Sequence, residues 1–171
     1  RLRSSVMNHM EGFSVVYQPI VRSSDTKIAE AEALLRWSCK DMGSVSPLEF
    51  IPLLESSGLI IPVGKWVLEQ SVRQCCKWLA CVPDFVMNVN CSYLQMLDED
   101  FVQSVKEIIN RYRLDPSHIV LELTESRFVT DQDRLNDTFK RLRSLNIRLA
   151  MDDFGTGYSS LSCLSCTPAD I

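Results

Sequence analysis

An α/β protein with a largely parallel sheet is what this sequence predicts, and three observations predict it. From residue 85 onward, short β-rich runs alternate with helical patterns in the order strand, helix, strand, helix, strand. The connections between runs are of helix length, which implies parallel strands joined by right-handed crossovers. No internal repeat, linker-like stretch or low-complexity segment within that alternation asks for a second domain. Either a doubly wound sheet or a (β/α) barrel satisfies the pattern.

The elements follow in order. Val15 to Val21 is β-branched and aromatic, and Arg22-Ser23-Ser24-Asp25-Thr26 is a polar turn, so the pair reads as the start of a hairpin. The next stretch, 29-AEAEALLRW-37, is ambiguous by local rules. Its residues are strong helix formers, and Glu32 precedes Arg36 by the four residues that pair charges on a helix. With a period of two, however, Glu30, Glu32, Leu34 and Arg36 share one face and Ala29, Ala31, Ala33, Leu35 and Trp37 share the other. The preceding turn tilts it to strand. Ser46-Pro47-Leu48-Glu49 then gives an N-cap, a first-turn proline and an acidic third position, with Gly58 to end the helix. A second helix is expected over about 63–79. The strand 85-FVMNVN-90 places Asn88 and Asn90 on one face, and Asp98 is expected to cap a helix whose stripe is Phe101, Val105, Ile108, Ile109 and Tyr112. Strand 119-IVLEL-123, a helix over 131–145 ended by Asn146, and strand 147-IRLAMD-152 complete the series.

Composition narrows the function. A formal net charge of −4 over 171 residues argues against a DNA or RNA polymer as partner, because such binding relies on a general field of Lys and Arg. A phosphate ligand would need local help, which a metal ion can supply. No apolar run approaches the roughly 18 residues that span a bilayer, and Arg1-Leu2-Arg3-Ser4-Ser5 leads into no signal-peptide core, so no membrane is expected in this segment and the location expected is cytoplasmic. The chain starts without Met and ends on Ile171, and it reads as a piece of a longer protein. Its 7 cysteines have no repeated spacing and read as small buried residues of a reducing compartment. Cys163-Leu-Ser-Cys166 is a lone CxxC, weak as a metal or redox signal.

Hard oxygen ligands gather at the ends of the strands: Asn90, Glu122 and the pair Asp152-Asp153. In parallel α/β folds these C-terminal ends form the active-site face, so groups distant in sequence converge there. Converging carboxylates repel, and a divalent cation of the Mg²⁺ or Mn²⁺ type removes that penalty. Each group alone has a plainer reading: Glu122 as a surface residue of an edge strand, Asp152-Asp153 as a cap, the asparagines as turn formers. Their joint placement is what favours chemistry. The Gly-containing 154-FGTGYSS-160 lacks the lysine of a P-loop and reads as a tight turn or lid.

Taken together, 17-YQPIV-21, 32-EALLRW-37, 46-SPLEFIP-52, 89-VNCS-92, 121-LELTES-126 and 152-DDFGTGYSSLS-162 strongly resemble the EAL-domain family of cyclic-di-GMP phosphodiesterases. The resemblance implies a TIM-like (β/α)8 barrel with one antiparallel strand, in which Glu32 lies on a strand and points inward. It implies hydrolysis of cyclic di-GMP to linear pGpG with two divalent cations, Mg²⁺ or Mn²⁺. By carry-over, Glu32, Asn90, Glu122 and Asp152 hold one cation, Asp152 bridges, and Asp153 holds the second, so that Glu32, Asp152 and Asp153 are catalytic. Gln18, Leu34 and Arg36 match substrate-binding positions, and Glu125 matches the anchor of the loop after Asp153, a loop that resembles the family's homodimer contact. The match begins at Phe13, leaving 1–12 as a linker from an upstream region and 13–171 as a domain incomplete at its C-terminus. A family lysine falls just past Ile171, so the resemblance implies the N-terminal two-thirds of the barrel and leaves the fragment's own activity open. A non-hydrolysing cyclic-di-GMP receptor or protein-interaction module is the alternative. Glu30 departs from the family's usual small residue; it either sits lower in the barrel, satisfied there, or perturbs the site.

Overall fold

The computed structural model describes residues 1–124 and 131–152, with Thr124 and Asp152 described by backbone alone. A short helix α1 (Leu2–Met7) precedes strand β1 (Phe13–Val21), which pairs antiparallel with β2 (Ile28–Cys39). Thus the helix-or-strand question of AEAEALLRW resolves to strand along its whole length, and the strand runs beyond it at both ends. Intrinsic helix propensity differs by fractions of a kcal/mol per residue, too little to resist a 9-residue hairpin ladder. A short β3 (Gly43–Val45) continues the meander on β2, and helices α2 (Pro47–Ser56) and α3 (Ile60–Leu79) follow. The alternation then delivers β4 (Val86–Cys91), α4 (Tyr93–Met96), α5 (Phe101–Tyr112), β5 (Ile119–Thr124), α6 (Gln132–Ser144) and β6 (Arg148–Asp152).

The described strands form a sheet of order β1-β2-β4-β5-β6, with β3 off β2. β2, β4, β5 and β6 are parallel and β1 alone along that path is antiparallel, the arrangement that the resemblance implied. Helix boundaries differ from expectation in detail. Ser46 precedes α2 but makes no side-chain cap; its carbonyl takes the Glu49 and Phe50 amides instead. Asp98 stands one turn before α5, where its carboxylate accepts from the Asp100 amide at 3.4 Å, and Asp100 occupies the cap position. Asn146 does end α6, in a left-handed conformation (φ 62°), with Asn146 N–H on the Arg143 carbonyl and Ile147 N–H on the Leu142 carbonyl. That is the double bond of a Schellman stop, which turns the chain straight into β6.

One face of the sheet is the core. Ala31, Ala33 and Trp37 of β2, Met87, Val89 and Cys91 of β4, Ile119, Leu121 and Leu123 of β5, and Leu149 of β6 are buried in one cluster with Val63, Val67, Val105, Ile108, Phe139 and Leu142 of the helices. Alternation sends the intervening residues to the opposite face, where Val86, Val120 and Ala150 form a small separate cluster. Two aromatic groups tie the hairpin to the helices. Phe13, Trp37 and Phe50 stack with ring centroids 6.0–6.3 Å apart, and Trp37 Nε1 donates to Ser5 Oγ at 3.2 Å. Tyr17 meets Trp78 at 5.1 Å, and Trp78 meets Phe85 at 5.0 Å. Aromatic pairs of this kind contribute about 0.5–1.5 kcal/mol each beyond their buried area. The segment expected as a linker therefore contains a helix whose Val6 is buried in the main core.

Candidate active site

The face opposite the core carries the polar residues. In β2 it presents Glu30, Glu32, Leu34 and Arg36; in β4, Asn88 and Asn90; in β5, Glu122. Register brings them into rows. Gln18 of β1 lies opposite Glu32, and Glu32 lies opposite Asn88 on the other side. One step toward the C-terminal ends, Asn90 pairs with Glu122 and Glu122 with Ala150, and Asp152 is paired with Thr124 one further step along. Parallel pairing makes β2, β4, β5 and β6 end on the same side of the sheet, which is why residues from 32 to 122 gather there.

Hydrogen bonds run diagonally across the β2–β4 junction. Asn90 Nδ2 donates to Glu32 Oε1 at 2.6 Å, and two residues lower Asn88 Nδ2 donates to Glu30 Oε2 at 3.0 Å. Glu30 is therefore satisfied in place, by an asparagine that is itself only 3% exposed. Glu32, Asn90 and Glu122 are half-buried, as are Leu34 and Arg36, whereas Gln18 is exposed. Arg36 donates from Nη1 to the Leu35 carbonyl at 2.9 Å, using one of the five N–H donors that a guanidinium carries.

Beside this row lies a cavity of about 240 Å³, bordered by Leu34 and Arg36 of β2, Asn90 of β4, and Glu55, Gly64 and Gln95 from the helices. Its wall is organised by Ser92. The Ser92 hydroxyl donates to Glu55 Oε1 at 2.7 Å and accepts from the Leu94 amide, while Gln95 Oε1 accepts from the Ser92 amide at 3.1 Å. This capping box starts α4 immediately after β4 and fixes the backbone two residues beyond Asn90. Sequence reading missed it, although Ser92-x-x-Gln95 is the pattern that announces such a cap.

Of the residues expected at the site, Gln18, Glu32, Asn90 and Glu122 are brought together by register, and Leu34 and Arg36 continue the same face of β2. For Asp152 the backbone position is consistent with that group. Asp153, Glu125, the 154-FGTGYSS-160 stretch and the Cys163-Cys166 pair lie outside the described residues. Among the described residues, no three or more His, Cys, Asp and Glu side chains gather into a metal-holding group. The donor set that is visible nevertheless suits a hard cation: carboxylate oxygens from Glu32 and Glu122 and an amide from Asn90, with no thiolate or imidazole among them.

Five of the cysteines lie among the described residues. Cys75 and Cys91 are buried, Cys39 and Cys76 half-buried and Cys81 exposed, all of them unbridged. Burial pushes the Cys75 thiol up to about 12, helped by neighbouring Cys76, and pushes the Cys91 thiol up as well. Cys81 departs from the expectation of burial.

The family model described as the EAL domain matches residues 1–171. The chain belongs to the EAL-domain family. This EAL chain is 40% identical over 154 residues to a bifunctional diguanylate cyclase/cyclic di-GMP phosphodiesterase, MucR, of Pseudomonas aeruginosa, a match that takes in 90% of the chain and 22% of that protein. It is 35% identical over 154 residues to the cyclic di-GMP phosphodiesterase PdeR of Escherichia coli, covering 90% of the chain and 23% of that protein. Among solved structures, the phosphodiesterase MucR in complex with c-di-GMP superposes with a TM-score of 0.87 at 37% identity, over 98% of this EAL chain and 68% of that one. The EAL domain of FimX from Pseudomonas aeruginosa, bound to c-di-GMP, gives a TM-score of 0.83 at 19% identity, a likeness of fold. The chain thus spans about a fifth of the length of the curated relatives that it matches.

Proposed function

We propose that the protein carrying this EAL domain hydrolyses one phosphodiester of cyclic di-GMP, giving linear pGpG and lowering the level of the messenger in the cytoplasm. The observation that carries the reading is the convergence of two neighbouring register pairs, Gln18–Glu32 and Asn90–Glu122, joined by the Asn90–Glu32 hydrogen bond on the same sheet face as Arg36. Relatives named as cyclic di-GMP phosphodiesterases at 35–40% identity support it.

Glu32, Asn90, Glu122 and Asp152 would hold one divalent cation, with Asp152 shared and Asp153 on a second; Mg²⁺ and Mn²⁺ fit the all-oxygen donors. Such a pair, when bound, supplies an activated water and neutralises charge developing on the phosphoryl oxygens. Asn90 donates to one oxygen of the Glu32 carboxylate, and the other would be the one that meets a cation. Arg36 forks onto a non-bridging phosphate oxygen, since a planar guanidinium offers two parallel N–H groups to a phosphate. Leu34 lies between Glu32 and Arg36 on that strand face and excludes water from the phosphate. Gln18, exposed beside Glu32, reaches the nucleotide. By the family resemblance, Glu125 would anchor the loop after Asp153, and that loop would be the surface through which two copies pair.

The test is incubation of this chain, and of a longer form continued past Ile171, with cyclic di-GMP and Mn²⁺ or Mg²⁺, with products resolved by chromatography. Cation-dependent pGpG from the longer form is expected. If that form, with every named ligand intact, binds cyclic di-GMP but makes no pGpG, the domain is a receptor and the enzyme reading fails.

A further inference from the structure

Two Asn–Glu hydrogen bonds are stacked on the site face, and the lower one has a consequence for the upper. Asn88 is paired in register with Glu32 and stands one step above Glu30, which is paired with Val86, so a carboxylate lies level with it and another below it on the neighbouring strand. It donates downward to Glu30 Oε2 at 3.0 Å, while Glu32 receives Asn90 at 2.6 Å. Asn88 is nearly sealed from water, and a buried amide that loses its acceptor takes the nearest alternative. That alternative is Glu32, the residue directly across the strand pair. Were Asn88 to turn to it, both oxygens of the Glu32 carboxylate would be tied to asparagine amides.

We propose that Glu30 is a positioning residue of the cation site: by accepting the Asn88 amide it leaves one oxygen of Glu32 unclaimed by asparagine and available to a divalent cation. The inference rests on the two-cation reading above. Glu30 itself touches neither cation nor substrate; it acts through Asn88 on Glu32. Its carboxylate is half-buried and held by that bond, which gives the extra acid on this face a definite place. The effect expected on removing such a supporting partner is about tenfold in metal affinity.

The experiment measures Mn²⁺ binding by calorimetry and by electron paramagnetic resonance in the longest form of the protein, for the parent sequence, Glu30→Ala, Glu30→Gln, and Glu30→Ala combined with Asn88→Ala. Thermal melts without metal identify any loss of folding. Glu30→Ala is expected to weaken Mn²⁺ binding about tenfold. Glu30→Gln, whose amide oxygen still accepts from Asn88, is expected to stay within about twofold of the parent, and the double variant is expected to regain most of the loss because the competing amide is gone. Equal losses for Glu30→Gln and Glu30→Ala would mean that charge alone matters and would overturn the proposal, as would three variants indistinguishable from the parent. If the parent protein itself binds no Mn²⁺, the two-cation reading falls and takes this inference with it; if the parent binds and the double variant is not rescued, only the inference falls.

Discussion

The Gln95 side chain packs against the backbone of Gly64, so closely that a methyl group on Gly64 would overlap the Gln95 amide. Gly64 lies in the first turns of α3, where alanine would ordinarily gain about 1 kcal/mol over glycine. Here the sign is expected to reverse. Gly64→Ala must push Gln95 away from the Ser92 amide that it accepts from, opening the cap of α4 and the turn that follows Asn90. A loss of about 1–3 kcal/mol in denaturant unfolding is expected, with Gln95→Ala restoring part of it in the double variant.

The Asn90–Glu32 bond makes a prediction about metal removal. Asn90→Asp exchanges a donor for a second carboxylate at a separation of 2.6 Å, so that two like charges face each other when no cation is present. The metal-free variant should melt lower than the parent, and should gain more in Tm than the parent when Mn²⁺ is added, because a ligand that binds only the folded state stabilises it by an amount that rises with the logarithm of its affinity. Differential scanning calorimetry with chelator and with Mn²⁺ checks both arms.

Arg36 supports a kinetic prediction. Its Nη1 donates to the Leu35 carbonyl at 2.9 Å, and the residue borders the cavity beside Asn90. Lysine keeps the charge and loses the fork, so Arg36→Lys should raise KM for cyclic di-GMP by about tenfold with a smaller change in kcat, if the contact is made equally in ground state and transition state. A fall in kcat without change in KM would place Arg36 on the transition state alone.

The thiols should separate cleanly. Alkylation needs the thiolate, and a thiol raised to about 12 by burial, as Cys75 is, offers about a thousandth of the thiolate that an ordinary cysteine does at pH 8. Cys81 is exposed. Brief iodoacetamide treatment of the native protein, read by peptide mass spectrometry, should label Cys81 well before Cys75 or Cys91, and labelling of Cys75 should rise with pH. In denaturant the difference should vanish.

Much of this fold was legible because its signals are periodic and local. Short apolar runs alternating with helical stripes gave the strand and helix order, and each of the later strands appears within one or two residues of its expected place. Asn146 announced a helix stop because few residues besides Gly and Asn tolerate a left-handed backbone, and it adopts one. What was not legible is equally specific. The Ser46 cap failed because its position suits a cap while its side chain makes no such bond. Helix α1 was missed because Leu2–Met7 is too short to show a period, and it is held by tertiary contacts of Val6 and of Ser5 with Trp37.

The sequence by itself determined the residue types of the site, their order and their placement near strand ends. It also determined, through alternation, that Glu30, Glu32, Leu34 and Arg36 share a face if the segment is extended. The hairpin turn and the family resemblance already favoured an extended segment, and only the tertiary structure shows why it holds: a hairpin on one side and a parallel partner on the other outweigh small helix propensities. Only the tertiary structure, too, assigned partners: that Asn90 serves Glu32 and Asn88 serves Glu30 follows from the one-step diagonal between parallel strands, a relation between segments 58 residues apart that no local pattern encodes.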